Sequence, residues 1–297
     1  MEKRRLGRTE MEASVLSFGG SDVAEKDAEV VERLLRSAFD VGINVIDTAE
    51  CYEHSEELIG KVLGNRRDQV FLFTKCGHPR GIHTEDWSRQ SILETVERSL
   101  RRLRTDRIDL IQLHGASETV MKRGEAIAAL ETAREKGLVR YLGYSGDSQD
   151  ALYAVQSGAF DTLQTSINIA DQEAINSSVP AAREKRMGVI AKRPLANVAW
   201  KTGHKPMKSY HHEYWERLRK LNYEFLRDYL PEASIAIALR FTLTVPGVHT
   251  AIIGTSKPER WVENANMIAN GSLDDEEFQA IRERWQDVAP RTWIGQP

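Results

Sequence analysis

Short, largely apolar runs recur along this chain, and each is followed by a stretch in which apolar residues return every three or four positions. The runs fall at residues 14–18, 43–46, 70–74, 108–113, 139–144, 162–166, 189–192 and 250–253. Such runs, too short for helices and with little polar alternation, fit strands buried on both faces, as in a parallel sheet. Between them the period changes. Val31, Leu34, Leu35, Ala38 and Phe39 share one helical face, as do Ile92, Leu93, Val96, Leu100 and Leu103. Gly42, Gly137, Gly158 and Gly188 stand where a helix stops and the next strand begins, the position glycine favours beyond a helix C-terminus. Helices are predicted over 55–63, 124–136, 148–156, 179–186, 213–227, 235–243, 258–269 and 274–288, and a short hairpin over 5–10. Ser55 reads as an N-cap, with Glu56 and Glu57 at the positive end of the helix dipole.

Strand and helix in alternation imply parallel strands joined by right-handed crossovers. Eight such units predict an α/β fold, a (β/α)8 TIM barrel with an N-terminal hairpin and additional C-terminal helices, as one domain over 1–297. The competing doubly wound sheet calls for Gly-x-Gly-x-x-Gly after its first strand. No two glycines in this chain stand two positions apart. Charge narrows the function class. With 41 basic and 44 acidic residues interspersed, the net charge of −3 argues against a nucleic-acid groove or a polybasic membrane patch. No apolar run approaches the roughly 18 residues of a membrane span. The first residues lack the apolar core of a signal peptide, and two cysteines make no disulfide framework, so a reducing cytoplasm is expected.

The chemistry gathers at strand ends. Asp47 follows the second strand with Tyr52 just beyond, Lys75 ends the third and His114 ends the fourth. In a barrel these ends share one mouth, where active sites form. Lys75 beside Tyr52 would favour the phenolate, and Asp47 would hold Lys75 charged, making Tyr52 a proton donor with a lowered pKa. His114 would hydrogen-bond a substrate oxygen. After the last strand, Gly254, Thr255, Ser256, Lys257 and Arg260 surround a helix start, a cup suited to phosphate. No metal site is expected, because His204, His211 and His212 lack a second ligand pair at zinc spacing.

The chain resembles the aldo-keto reductase superfamily over nearly its whole length. The likeness rests on Arg5-Leu6-Gly7-Arg8-Thr9, Leu16-Ser17-Phe18-Gly19-Gly20, Asp47-Thr48-Ala49-x-x-Tyr52-x-x-Ser55-Glu56, Thr74-Lys75, residues 108–114 and 137–145, and Pro258-Glu259-Arg260-Trp261-Val262-Glu263-Asn264. The resemblance implies the barrel, NADP(H) as cofactor, and hydride transfer to an aldehyde or ketone, with Tyr52 as acid, Lys75 and Asp47 tuning it, and His114 orienting substrate. It also implies that Ser145 and Gln164 hold the nicotinamide carboxamide. Lys257 and Arg260 would face the adenosine 2′-phosphate, and Glu263 and Asn264 would meet the adenine. Gly20, Pro194 and Leu195 belong to the same expected cofactor surface.

Two positions depart from the family pattern. Gly146 stands where relatives have asparagine, and Lys192 where they carry an aromatic residue that stacks on the nicotinamide. Arg193 is expected to reach the pyrophosphate instead, since a guanidinium binds phosphate bidentately. Two rival readings follow from these departures and from Lys75: a cofactor-binding regulatory barrel with little turnover, and a lyase whose lysine forms a Schiff base. Cys51 and Cys76 adjoin Tyr52 and Lys75, and are expected to act as small buried hydrophobes rather than a redox switch. Trp200 and Trp293 would line the pocket or pack beneath its rim. The substrate pocket itself is assigned to the loops 21–24, 78–87 and 116–122, the segment from Asn197, and the tail.

Overall fold

In the computed structural model, which describes residues 1–78 and 86–296, the chain opens with β1 (Lys3–Arg5) antiparallel to β2 (Glu12–Ser14). Eight parallel strands then close a barrel: β3 (Leu16–Gly19), β4 (Val45–Asp47), β5 (Phe71–Cys76), β6 (Ile108–His114), β7 (Val139–Ser145), β8 (Thr162–Ser166), β9 (Gly188–Lys192) and β10 (Val248–Ile253). Closure is made by β10, which pairs with β9 on one side and β3 on the other. The expected (β/α)8 barrel with its hairpin is therefore the observed fold.

The connections run outside the barrel. They are α1 (Ala28–Asp40), α2 (Ser55–Leu63), α3 (Arg89–Leu103), α4 (Glu118–Arg123), α5 (Glu125–Glu135), α6 (Ser148–Ser157), α7 (Glu173–Asn176) and α8 (Ser178–Glu184). After β9 come α9 (His212–Leu221), α10 (Glu224–Asp228) and α11 (Pro231–Thr244), and after β10 come α12 (Glu259–Ile268) and α13 (Asp275–Val288). In α1 the buried residues are Val31, Leu34, Leu35 and Ala38, the stripe that its periodicity predicts. The helices pack closely where side chains are small. A Cβ on Gly60 of α2 would stand 2.3 Å from the carbonyl oxygen of Arg102 in α3.

Several boundaries differ from the expected ones. The run 14–18 is divided, because Ser14 ends the hairpin and the barrel strand starts at Leu16. The helix expected over 124–136 is preceded by a separate one. Ser117 caps α4 by accepting from the Val120 N–H, and Gly124 at φ 75° ends it before α5 begins. The helix expected over 213–227 breaks at Asn222, which adopts the left-handed conformation that asparagine tolerates. Ser55 is not a cap. It is the first residue of α2, and its buried hydroxyl donates to the Gly20 carbonyl at 2.7 Å and meets the Thr48 hydroxyl at 2.8 Å.

The hairpin decides which end of the barrel is open. Leu6, Met11 and Ala13 pack against Val45, Phe73, Leu110 and Ile190 from the barrel interior, forming an apolar floor. Burying each large side chain there contributes roughly 1.5–3 kcal/mol. Gly7, at φ 57°, lets the turn approach β9 so closely that a Cβ would stand 2.1 Å from the Gly188 nitrogen. The strand carboxyl ends are left as the open mouth.

One buried acid outside that mouth has a testable consequence. Asp171 is fully buried. Its Oδ2 accepts from the Tyr214 hydroxyl at 3.1 Å and the Gln296 N–H at 3.3 Å, with Arg217 3.8 Å away. Burial pushes its carboxyl up to about 7, against the pull of Arg217. A pKa raised on folding contributes stability that is complete below the unfolded value near 3.8 and is lost as pH rises through the folded one. Asp171→Asn is therefore expected to gain stability relative to the wild type between those two limits, by on the order of 4 kcal/mol. Urea melts across the window check this; a difference that does not change with pH would refute it.

Candidate active site

Consecutive strands deliver the polar groups of the mouth. Asp47 closes β4, Lys75 lies near the end of β5, His114 closes β6 and Ser145 closes β7, with pairings Gly19 to Asp47, Lys75 to Gln112, His114 to Ser145 and Ser145 to Gln164. The Lys75 ammonium donates to Asp47 Oδ1 and, at 2.8 Å, to the Thr48 carbonyl. The other Asp47 oxygen accepts from Gln112 Nε2 at 3.0 Å and Gln164 Nε2 at 2.9 Å. Each polar arm of the carboxylate is thus occupied, which fixes the lysine as well. Burial works against the Lys75 charge, but Asp47 and then Tyr52 outweigh it and hold the amine above its ordinary value.

Tyr52 sits over this pair, its ring centroid 5.1 Å from Lys75 Nζ and 6.2 Å from the His114 ring, edge to face. The expected lowering of its pKa is not the net direction. Burial pushes the phenol up; Lys75 pulls it down, and Asp47 adds to the upward push. His114 lies in a cationic surrounding. Burial first, then Lys75, His78, Lys192 and Arg193, hold its imidazole well below 6.5, so it is neutral at physiological pH. Its Nδ1 lies 3.6 Å from Cys51 Sγ, which leaves Nε2 to face a ligand. Cys51 therefore touches the site, whereas Cys76 is a buried thiol whose pKa is driven up by its surroundings.

The loop carrying Tyr52 is anchored from behind, in part by Arg98 and Arg102, which no motif marks. Arg98 donates to the Glu50 carboxylate, Arg102 donates to the Glu50 carbonyl at 3.2 Å, and the Thr74 hydroxyl donates to Glu56 at 2.7 Å. Arg102 also lies 3.6 Å from Glu56.

A cavity of about 600 Å³ opens above these groups. Tyr52, His114, Ser145 and Gln164 line it together with Lys192, Arg193, Pro194, Leu195 and Asn197, and Gly20 and Gly254 border it. Ser145 donates to Gln164 Oε1 at 2.9 Å, so the two residues expected to share a ligand amide are joined. Asn197 Nδ2 is a buried donor with no acceptor among the described residues. Arg193, Ala196, Asn197 and Val198 all have positive φ, a strain of order 1–3 kcal/mol each that concentrates where β9 meets the cavity. Lys208, Tyr210 and His211 reach the cavity from the segment after Asn197, opposite Ser21 and Asp22. His211 is thus a wall residue rather than a solvated one, while His204 is exposed.

Arg193 is turned towards the last residues of the chain. Its guanidinium donates to the Tyr210 hydroxyl, to Ser166 Oγ at 3.4 Å and to the Gln296 carbonyl. Trp200 donates to Ser234 at 3.1 Å, and Trp293 packs on Trp285 beneath Arg217, so both lie under the rim. Of the expected phosphate cup, Gly254 borders the main cavity and Ser256 borders a groove shared with Lys208, Asp22 and Tyr52. Thr255 Oγ1 accepts from the Lys257 N–H at 3.1 Å. Arg260 pairs with Glu263 at 2.7 Å across one turn of α12, and Asn264 is buried behind them. Most of the loop 78–87 expected to shape the substrate pocket lies outside the described residues.

The sequence profile of the Aldo/keto reductase family matches residues 15–286. The chain belongs to that family. An uncharacterised oxidoreductase of Bacillus subtilis, YqkF, is 29% identical over 95% of this chain and 96% of its own length. The aldo-keto reductase YhdN of the same organism is 27% identical over 95% and 92%. Among solved structures, the holo form of an aldo-keto reductase from Bacillus halodurans superposes with a TM-score of 0.82 at 27% identity, covering 98% of this chain and 99% of that one.

Proposed function

We propose that this chain is an NADP(H)-dependent carbonyl reductase acting on an aldehyde or ketone, reversible as alcohol oxidation. The observation that carries the reading is the convergence of Asp47, Tyr52 and His114 on one cavity, with Lys75 buried against Asp47 and the Tyr52 ring. A bound nicotinamide cofactor would supply the hydride. The residues fit such a group: the cavity has the volume of a ligand site, Asn197 presents an unpaired buried donor, and the Ser145–Gln164 pair offers a hydroxyl and a carbonyl to an amide.

Tyr52 is the proton donor in this mechanism. Its raised pKa keeps the phenol protonated at neutral pH, and the neutral His114 imidazole donates to the same carbonyl oxygen without adding charge. As the proton leaves, the fixed Lys75 ammonium stabilises the phenolate, and needs no reorganisation to do so. Ser145 and Gln164, with Gly20, Pro194, Leu195 and Asn197, would hold the nicotinamide half, and Arg193 would reach the pyrophosphate. Gly254, Thr255, Ser256, Lys257, Arg260, Glu263 and Asn264 hold the adenosine half. Compartment and partners follow the sequence expectation: a cytoplasmic protein with a small-molecule carbonyl substrate, not a nucleic acid or a membrane. No helix among the described residues is long and apolar enough to cross a membrane.

The test is loss of reduced cofactor against a panel of aldehydes and ketones. Tight binding without turnover on any of them would favour the regulatory reading instead. The preference for the 2′-phosphate is tested separately by Arg260→Ala. A hydrogen bond from a charged donor is worth about 1.5–3 kcal/mol, so the Kd for NADPH is expected to rise roughly 10- to 100-fold, while that for NADH barely moves. Equal weakening of both would show that Arg260 does not read the phosphate.

A further inference from the structure

We propose that the Lys192–Asp147 pair makes this pocket discriminate against the oxidised nicotinamide, so that the chain holds the reduced cofactor more tightly. The inference rests on the cofactor reading above and goes beyond it. In carbonyl reduction a C–H bond of the nicotinamide breaks and its hydride forms a C–H bond at the carbonyl carbon. The carbonyl oxygen takes the proton of Tyr52. The nicotinamide ring passes from neutral to cationic. A fixed charge on the cavity wall therefore acts differently on the two forms.

Lys192 carries such a charge when protonated: burial lowers its amine pKa, the Asp147 carboxylate opposes that pull, and Arg193 adds to the lowering. The Lys192 Nζ lies 2.6 Å from Asp147 Oδ2, with side chains only 17% and 7% exposed. Asp147 is itself pinned, its Oδ1 accepting from the Thr165 hydroxyl at 2.9 Å and the Ser166 N–H at 2.7 Å. Burial works against the Asp147 charge, but the adjacent Lys192 ammonium and the two donors on Oδ1 outweigh it and hold the carboxyl below its ordinary value. Neither partner is free to swing away when the ring becomes charged.

The pair is also oriented. Lys192 lines the cavity, whereas Asp147 lies behind it, covered by Gly295, where an added Cβ would meet the Asp147 Cβ at 2.3 Å. The ligand therefore faces the positive end of the pair. The field of that ammonium reaches the reaction centre, since Lys192 is among the charges that keep His114 neutral. Arg193, its sequence neighbour, lines the same cavity with the same sign. Nicotinamide is accordingly met by a cationic face that tolerates its neutral form and repels its oxidised one.

Titration of the full-length protein with NADPH and with NADP+, followed by protein fluorescence, reads the effect without turnover. The wild type is expected to bind NADPH more tightly. Lys192→Met is expected to shift the affinity ratio towards NADP+ by about 10-fold, or roughly 1.4 kcal/mol, because the remaining Asp147 carboxylate attracts the cationic ring. Adding Asp147→Asn removes that attraction and is expected to return part of the shift. Wild-type protein that binds NADP+ as tightly as NADPH would overturn the proposal on its own, whatever the variants do. So would variants in which both affinities move together, which would mark Lys192 as a packing residue only. Wild-type protein that binds neither form would overturn the cofactor reading, and this inference with it.

Discussion

Tyr52→Phe is expected to lower kcat for carbonyl reduction by roughly 10²–10⁴-fold, the usual worth of a positioned general acid, with NADPH affinity essentially retained. Phenylalanine keeps the ring against Lys75 and His114 and removes only the hydroxyl. The wild-type phenol is driven upward by burial, so it is protonated and ready to donate throughout the neutral range. The pH dependence follows with opposite signs for the two directions. Reduction needs the phenol and is expected to hold steady into the alkaline range. Alcohol oxidation needs the phenolate and is expected to rise with pH over the same interval. His114 contributes no inflection near 6.5, because burial and the surrounding cations keep it neutral there. Single-turnover rates for both directions, measured on wild type and variant, check each part; a variant as fast as wild type would show that the proton comes from elsewhere.

The barrel was legible because parallel strands buried on both faces leave apolar runs that no polar alternation disguises, and because a barrel permits few arrangements of eight such runs. The same geometry made Asp47, Tyr52, Lys75 and His114 legible, since strand ends far apart in sequence meet at one mouth. What sequence could not convey was any property set by burial. The direction of the Tyr52 shift depends on desolvation exceeding the pull of Lys75, and no spacing encodes that balance. Gln112 and Tyr210 carried no signal as site residues, and Asp22 and Asn197 were marked only as members of pocket loops, because an amide, an acid or a phenol in a strand or loop has no pattern until the fold aims it. Ser55 carried a misleading one: serine ahead of two glutamates reads as a cap, yet tertiary partners at Gly20 and Thr48 claim its hydroxyl. Arg193 was expected to reach a pyrophosphate; it lines the cavity, and its guanidinium follows Tyr210 and the Gln296 carbonyl, contacts that span long sequence distances.

Asp47→Ala is expected to be among the most destabilising single changes near the site, because Asp47 supports structure and chemistry together. Its removal leaves the Lys75 ammonium, only 2% exposed, without its counter-charge, a change that costs about 3–5 kcal/mol for a buried pair. It also strips the acceptor from the Gln112 and Gln164 amides, each of which adds a penalty of roughly 1–3 kcal/mol if nothing replaces it. Lys75→Met should cost less, since Asp47 would keep both amide donors. Combining the two substitutions removes the stranded charge, so the double variant is expected to be more stable than Asp47→Ala alone, a coupling that a double-mutant cycle in urea isolates. Strict additivity would mean that Lys75 relaxes into solvent when Asp47 is lost. The pH dependence has a definite sign. Lys75 is held above its ordinary value of 10.5, so its contribution is complete below that pH and disappears only as pH climbs through the higher folded value. The wild type should therefore lose its advantage over the double variant only in strongly alkaline solution, where carbonyl reduction, which needs the Tyr52 phenol, fails as well.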